Sequence, residues 1–166
     1  MNELLILGIG NPFRGDDGAG WAVIDALQIK THGKVTLQKS RGDIADLIEA
    51  FQNHKKVIII DACRSSRPSG KWARIDALHE PLPIEATKTS THGITISQGI
   101  VLAKALGQLP EELILYALEG TCFDVTGLLS EQLHSAIQEV AQHIFNEKET
   151  QLCMNKGLSI SSQKRS

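Results

Sequence analysis

The sequence predicts an α/β fold, a mostly parallel twisted sheet with helices on both faces. Three observations carry that expectation. Short apolar runs of strand length recur, amphipathic segments of helix length lie between them, and the 166 residues suffice for one ordinary core but are few for two. Parallel strands need a helix-length crossover, and the alternation of the two kinds of segment supplies it.

The run from Glu3 to Ile9 is short, apolar and followed by glycine, the pattern of a strand buried on both faces. After the loop GNPFRGDDG, Asp16 or Asp17 can cap a helix that carries Val23, Ile24 and Leu27 on one face and runs to about Lys30. Val35 to Lys39 reads as a short strand, and Asp43 can cap a helix with Ile44, Leu47, Ile48 and Phe51 at helical spacing. Lys56 to Ile60 (KVIII) is rich in β-branched residues and runs into Asp61, as a central strand would. Lys71 to Ile75 fits a shorter, edge-like strand, and the stretch to Thr89, with Pro81 and Pro83, is expected to be loop. Thr91 or His92 precedes a helix in which Ile96, Ile100, Ala103 and Leu106 share a face. Glu112 to Leu118 is the last strand. Ser130 caps a helix whose buried stripe is Leu133, Ile137, Val140, Ala141 and Ile144. Residues 1–150 are expected to form one domain. Residues 151–166 are polar and aperiodic, and are expected to be a disordered tail.

Composition removes several classes of function. A formal net charge of −2 gives no field to hold a phosphate backbone, so nucleic acid is not an expected partner. Cys63, Cys122 and Cys153 are odd in number and far apart, which fits reduced thiols in a cytoplasmic protein better than a disulfide framework. The N-terminal apolar run has no positive flank and is broken by Gly8, Gly10, Asn11 and Pro12, so it reads as a strand and not a signal peptide. No apolar stretch reaches the roughly 20 residues of a membrane helix, and no membrane insertion is expected.

In open α/β sheets ligands bind beyond the carboxyl ends of the strands. That rule selects Asn11, Asp16 and Asp17 in the first loop, Asp61 at the end of KVIII, and Thr91 and His92 before the later helix. Aspartate oxygens and an imidazole nitrogen suit a borderline divalent ion such as nickel or zinc, and three protein ligands leave positions open for water or another molecule. Each residue also has a structural reading. Asp16 and Asp17 can serve as helix caps, and His92 can bond a loop carbonyl, whereas Asp61 ends a buried strand where an unpaired carboxylate is costly. His32, His54, His79, His134 and His143 are read as solvated. GIGNPF begins like a dinucleotide fingerprint, but Phe13 stands where its third glycine would pack, which disfavours nucleotide binding. Gly8 and Gly10 instead permit unusual dihedrals and the close approach of another chain.

The run LGIGNPFRGDDGAG resembles the N-terminal signature of the hydrogenase maturation proteases, in which GxGN follows the first strand and an acidic pair opens the first helix. IIIDAC around Asp61 resembles the family's second acidic position, and STHG around His92 its histidine motif. The resemblance runs from Met1 to about Phe145. It implies that Asp17, before the glycine, is the metal-contacting acid of the pair, with Asp61 and His92 as the other contacts. It further implies an endopeptidase that removes a C-terminal extension from the large-subunit precursor of a nickel-iron hydrogenase after nickel insertion, the nickel belonging to the precursor. No serine or cysteine lies in a GxSxG elbow or beside a motif histidine, which leaves Asp17 or Asp61 as general base, or a metal-bound water as nucleophile. Two alternatives stand beside this reading. One is a peptidyl-tRNA hydrolase, whose first strand also leads into a GxGNP loop, and against which the acidic DDG argues. The other is a nickel-binding hydrogenase chaperone without hydrolytic activity.

Overall fold

The computed structural model describes residues 2–83, 95–125 and 127–162. Its elements follow in the order β1 (Asn2–Ile9), α1 (Ala19–Thr31), β2 (Thr36–Ser40), α2 (Ile44–Asn53), β3 (His54–Cys63), β4 (Trp72–Asp76), α3 (Ile96–Ala105), β5 (Glu112–Glu119), α4 (Glu131–Phe145) and α5 (Lys148–Ser162). The five strands form one sheet in the order β2-β1-β3-β5-β4, parallel except for the antiparallel edge strand β4. The α/β class and mostly parallel sheet are thus as the sequence predicts.

Alternation along the strands divides the core into two layers. Leu4, Ile6, Ile58, Ile60, Tyr116 and Leu118 face α1 and α4, which bury Val23, Ile24, Leu27, Leu133, Ile137, Val140, Ala141 and Ile144 against them. Leu5, Leu7, Ile9, Val57, Ile59, Leu113 and Leu115 face α2 and α3, with Leu47, Phe51, Ile96 and Ala103. Near-continuous apolar runs follow from burial on both faces.

Several expectations require correction. The segment from Gln151, expected to be disordered, is helical through Ser162. Thr150 is fully buried and Cys153 and Met154 pack on the α1/α4 core, so a narrow stripe of small, weakly apolar residues anchors α5. Lys56 adds an ion pair to Glu149 at 2.9 Å. The cap of α3 is Thr95, whose hydroxyl accepts from the Gln98 amide while the Gln98 side chain accepts from the Thr95 amide. Thr91 and His92, read as preceding this helix, lie outside the described residues. Leu106, placed on the buried stripe, is 53% exposed because α3 stops at Ala105. Asp43 and Ser130 do precede α2 and α4, but neither side chain makes a capping bond.

His143 is exposed, as expected, and one edge of its ring also packs against Trp72 and Tyr116. Tyr116 donates its hydroxyl to Glu147 Oε1 at 2.5 Å and lies 2.7 Å from His143 Nδ1, while Arg74 grips both Glu147 oxygens at 2.6 and 3.3 Å. Burial raises the pKa of Glu147, but the bonds from Arg74 and Tyr116 outweigh it and hold the carboxyl below its ordinary range. A depressed folded value contributes stability above the unfolded pKa, and that contribution is lost as pH falls through the folded value. Wild type is therefore expected to exceed Glu147→Gln by about 1 kcal/mol at pH 7, a modest figure because Arg74 is partly exposed. Urea unfolding at pH 7 and again near pH 3 should show the gap closing in acid. A gap that persists there would refute the assignment.

Candidate active site

The sheet order reverses between β1 and β3, since β1 leads outward to β2 while β3 starts on its other side. The crevice beyond the carboxyl ends of two such strands is where an open α/β sheet binds its ligand. Pairing of β1 with β3 ends at Gly8 and Ile60, whereas β3 continues against β5 to Cys63 and Glu119. Asp61 is the first residue beyond that last pair, and its β1 side faces the loop that follows Ile9.

Two glycines bring this loop onto the strand ends. A Cβ on Gly20 would lie 2.5 Å from the Ile9 carbonyl oxygen and 2.6 Å from that of Ile60. Only glycine lets the first turn of α1 sit across both strands. Gly10 has φ +146, and a Cβ there would meet the Asp17 carbonyl at 1.8 Å. The unusual dihedral is realised at Gly10, while the close approach at Gly8 is that of Gly20 in the same chain.

The adjacent aspartates differ sharply. They lie in a short 3-10 turn, Gly15–Gly18, and neither caps a helix through its side chain. Asp16 is fully buried and receives the amides of Thr121 (2.7 Å), Cys122 (3.0 Å) and Ser130 (2.7 Å) together with the Ser130 hydroxyl (3.0 Å). Its carboxylate thereby ties the first loop to the segment before α4. Burial raises its pKa, and the bonds from Cys122, Ser130 and Thr121 more than reverse this, leaving it lowered.

Asp17 is 5% exposed and, among the described residues, accepts only the Asn11 amide, at 3.1 Å. Burial raises its pKa further than the Asn11 bond and the charges of Arg14 and Arg41 lower it. Asp61 is 4% exposed, and burial followed by the neighbouring Asp17 charge pushes it well above the ordinary carboxylate range, opposed only by the Ala62 amide. Among the described residues no side chain donates a hydrogen bond to either. The two form an electrostatically coupled pair, rich in free lone pairs and poor in donors, while Asp16 beside them is saturated.

His92 and Thr91 lie outside the described residues, and among those described no three His, Cys, Asp or Glu side chains are grouped to hold a metal. Asn11 contributes backbone and turn bonds, its side chain accepting from the Phe13 amide at 3.0 Å. One carboxylate escaped the sequence reading. Glu119, 2% exposed at the end of β5, accepts from the Ser65 amide at 2.9 Å, from the Ser65 hydroxyl, and from the Cys63 thiol at 3.5 Å. The rule that selected Asp61, an acid closing an apolar strand, selects Glu119 equally in LILYALEG. Its donors give it a tethering role on residues 64–70. Burial, then the Glu119 charge, pushes the Cys63 thiol far up, so it carries no thiolate nucleophile.

Comparison with known proteins agrees with the fold. The family profile of hydrogenase maturation proteases, HycI, matches residues 23–147. The hydrogenase expression/formation protein HupD of Thiocapsa roseopersicina is 26% identical over 149 residues, covering 86% of this chain and 67% of HupD. Among solved structures, the [NiFe] hydrogenase maturation protease HybD of Thermococcus kodakarensis superposes with a TM-score of 0.65 at 22% identity, covering 86% of this chain and 96% of that one. The hydrogenase maturating endopeptidase HybD of E. coli gives 0.66 at 18% identity, covering 86% and 90%. These structures share the fold, and the profile matches three quarters of the sequence, so the chain belongs to the hydrogenase maturation protease family.

Proposed function

We propose that this protein is an endopeptidase that removes the C-terminal extension of a nickel-iron hydrogenase large-subunit precursor once nickel is in place. Asp17, Asp61 and His92 sense the nickel, which arrives as part of the substrate. The observation that carries this reading is the pair of buried carboxylates at the switch point, Asp61 near the end of β3 and Asp17 on the turn before α1, with no side-chain donor to either among the described residues. Free carboxylate lone pairs at a cleft suit a cation already held by another protein's ligands, and an incomplete ligand set leaves positions that such a protein can fill. Family membership decides between the two resemblances of the GxGNP loop and supports hydrolysis over chaperoning.

For the chemical step, a carboxylate of the pair accepts a proton from water as the oxygen attacks the scissile carbonyl carbon. The same proton then passes to the leaving amide nitrogen as the C–N bond breaks. No covalent acyl intermediate is formed, consistent with the inert, buried Cys63. Mass spectrometry of nickel-loaded precursor incubated with the protein tests the proposal. Native protein should release a C-terminal peptide, while Asp17→Asn, Asp61→Asn and His92→Ala should each slow release about 100-fold or more. Nickel-free precursor should stay intact. Unchanged precursor mass with native protein would refute hydrolysis and leave the chaperone reading.

A further inference from the structure

We propose that Arg41 and the cleft beside it hold the precursor segment next to the scissile bond, the guanidinium pairing with an acidic side chain of that segment. The inference rests on the endopeptidase reading above and adds how the substrate is gripped.

Arg41 follows β2 directly, on a backbone that is firmly held. The carbonyl of the preceding Ser40 accepts from the Gly10 amide at 3.0 Å and from the Trp21 indole at 2.9 Å. The Ser40 hydroxyl donates to Asp46 at 2.5 Å and accepts from the Gly42 amide at 3.0 Å. The guanidinium lies 6.0 Å from the centre of the Phe13 ring and 5.9 Å from that of Trp21. Phe13 is 68% exposed, in the same loop as Asp17. Rings that hold a guanidinium leave its planar fork of donors oriented and weakly hydrated, suited to a carboxylate.

Charge on this rim is unequally compensated. Lys39 also lies over Trp21, at 5.4 Å, but Asp25 neutralises it at 2.7 Å. Arg41 has no carboxylate at ion-pair distance among the described residues, although its charge reaches Asp17. An oriented, uncompensated cation is complementary to an anion supplied from outside. A cleft of about 320 Å³ adjoins it, lined by Pro12, Gly15, Gly18, Trp21, Lys39 and Leu128. Leu128 stands 87% exposed at its side. Pro12, Gly15 and Gly18 of the loop bearing Asp17 form one wall, so an extended chain lying against Trp21 and Leu128 runs along that loop. Because Arg41 stacks on Phe13 of the loop that bears Asp17, its partner is placed close to the cleaved bond and not at the remote end of the extension.

Steady-state cleavage of nickel-loaded precursor by wild type, Arg41→Ala and Arg41→Lys tests this. Arg41→Ala should raise KM about tenfold and leave kcat within about twofold, with Lys recovering part of the loss. Replacing acidic residues beside the scissile bond by their amides should raise the wild-type KM equally, and Arg41→Ala should add nothing further. Residues appended after the extension's own C-terminus should have no effect. The proposal is overturned by an unchanged KM, by a loss confined to kcat, by additive losses, or by a KM that follows the appended residues. Titration of precursor binding reads the same tenfold without hydrolysis. Binding that depends on Arg41 with no cleavage by wild type would sink the endopeptidase reading alone.

Discussion

Asp16→Ala is expected to destabilise the fold by about 3 kcal/mol or more, the largest loss of any single change in the first loop. Its removal strands the amides of Thr121, Cys122 and Ser130 and the Ser130 hydroxyl around a fully buried position. Each buried donor left without an acceptor costs about 1 to 3 kcal/mol, reduced where water can enter. Asp16→Asn keeps the volume but turns an NH2 toward N–H donors, so it should recover little. Among the described residues Asp17→Asn forfeits at most the single bond from Asn11, and it should unfold close to wild type while losing the proposed activity. Urea unfolding of the three variants checks this. An Asp16→Ala protein within about 1 kcal/mol of wild type would show that the hub does not hold the loop.

Gly20→Ala is expected to cost about 2 kcal/mol, although alanine is favoured over glycine inside a helix by about 1 kcal/mol. The added methyl meets the Ile9 carbonyl oxygen at 2.5 Å, the Ile60 oxygen at 2.6 Å and the Ile9 nitrogen at 3.0 Å. All three are backbone atoms of paired central strands, so no rotamer change can relieve the contact. The remaining response is a shift of α1 away from the sheet, which carries Asp17 away from Asp61. Cleavage should fall further than the lost stability explains. Gly99→Ala provides the contrast, because its Cβ would meet only the Leu47 Cδ1 at 3.0 Å and the Ile44 Cδ1 at 3.4 Å, ends of flexible side chains. That variant should stay within about 1 kcal/mol of wild type by thermal unfolding, and equal losses at the two sites would refute the close-approach argument.

Strand and helix identities were legible because burial on both faces writes continuous apolar runs, and burial on one helix face writes a 3.6-residue period. Val23, Ile24 and Leu27 are buried as that period requires. Leu106 failed because the same spacing continues past the point where α3 ends. α5 was illegible because Thr150, Cys153 and Met154 are weak signals until a core is present to receive them. In the site, Asp61 was readable as a charge closing the apolar run KVIII, although β3 continues past it to Cys63. The division of labour between Asp16 and Asp17 was not, because it depends on the amides of Thr121, Cys122 and Ser130, more than a hundred residues away in the chain.

Ile58, Ile60 and Ala62 belong to one layer of the core, and Val57, Ile59 and Cys63 to the other, so by parity Asp61 falls with the α2/α3 side. Asp17 enters from the opposite side, on the turn that opens α1. The gap between the two carboxylates is therefore a calliper across the sheet, each jaw fixed to a different core. Close-packed layers slide only in discrete repackings, so loosening either core alters this gap before the chain as a whole unfolds.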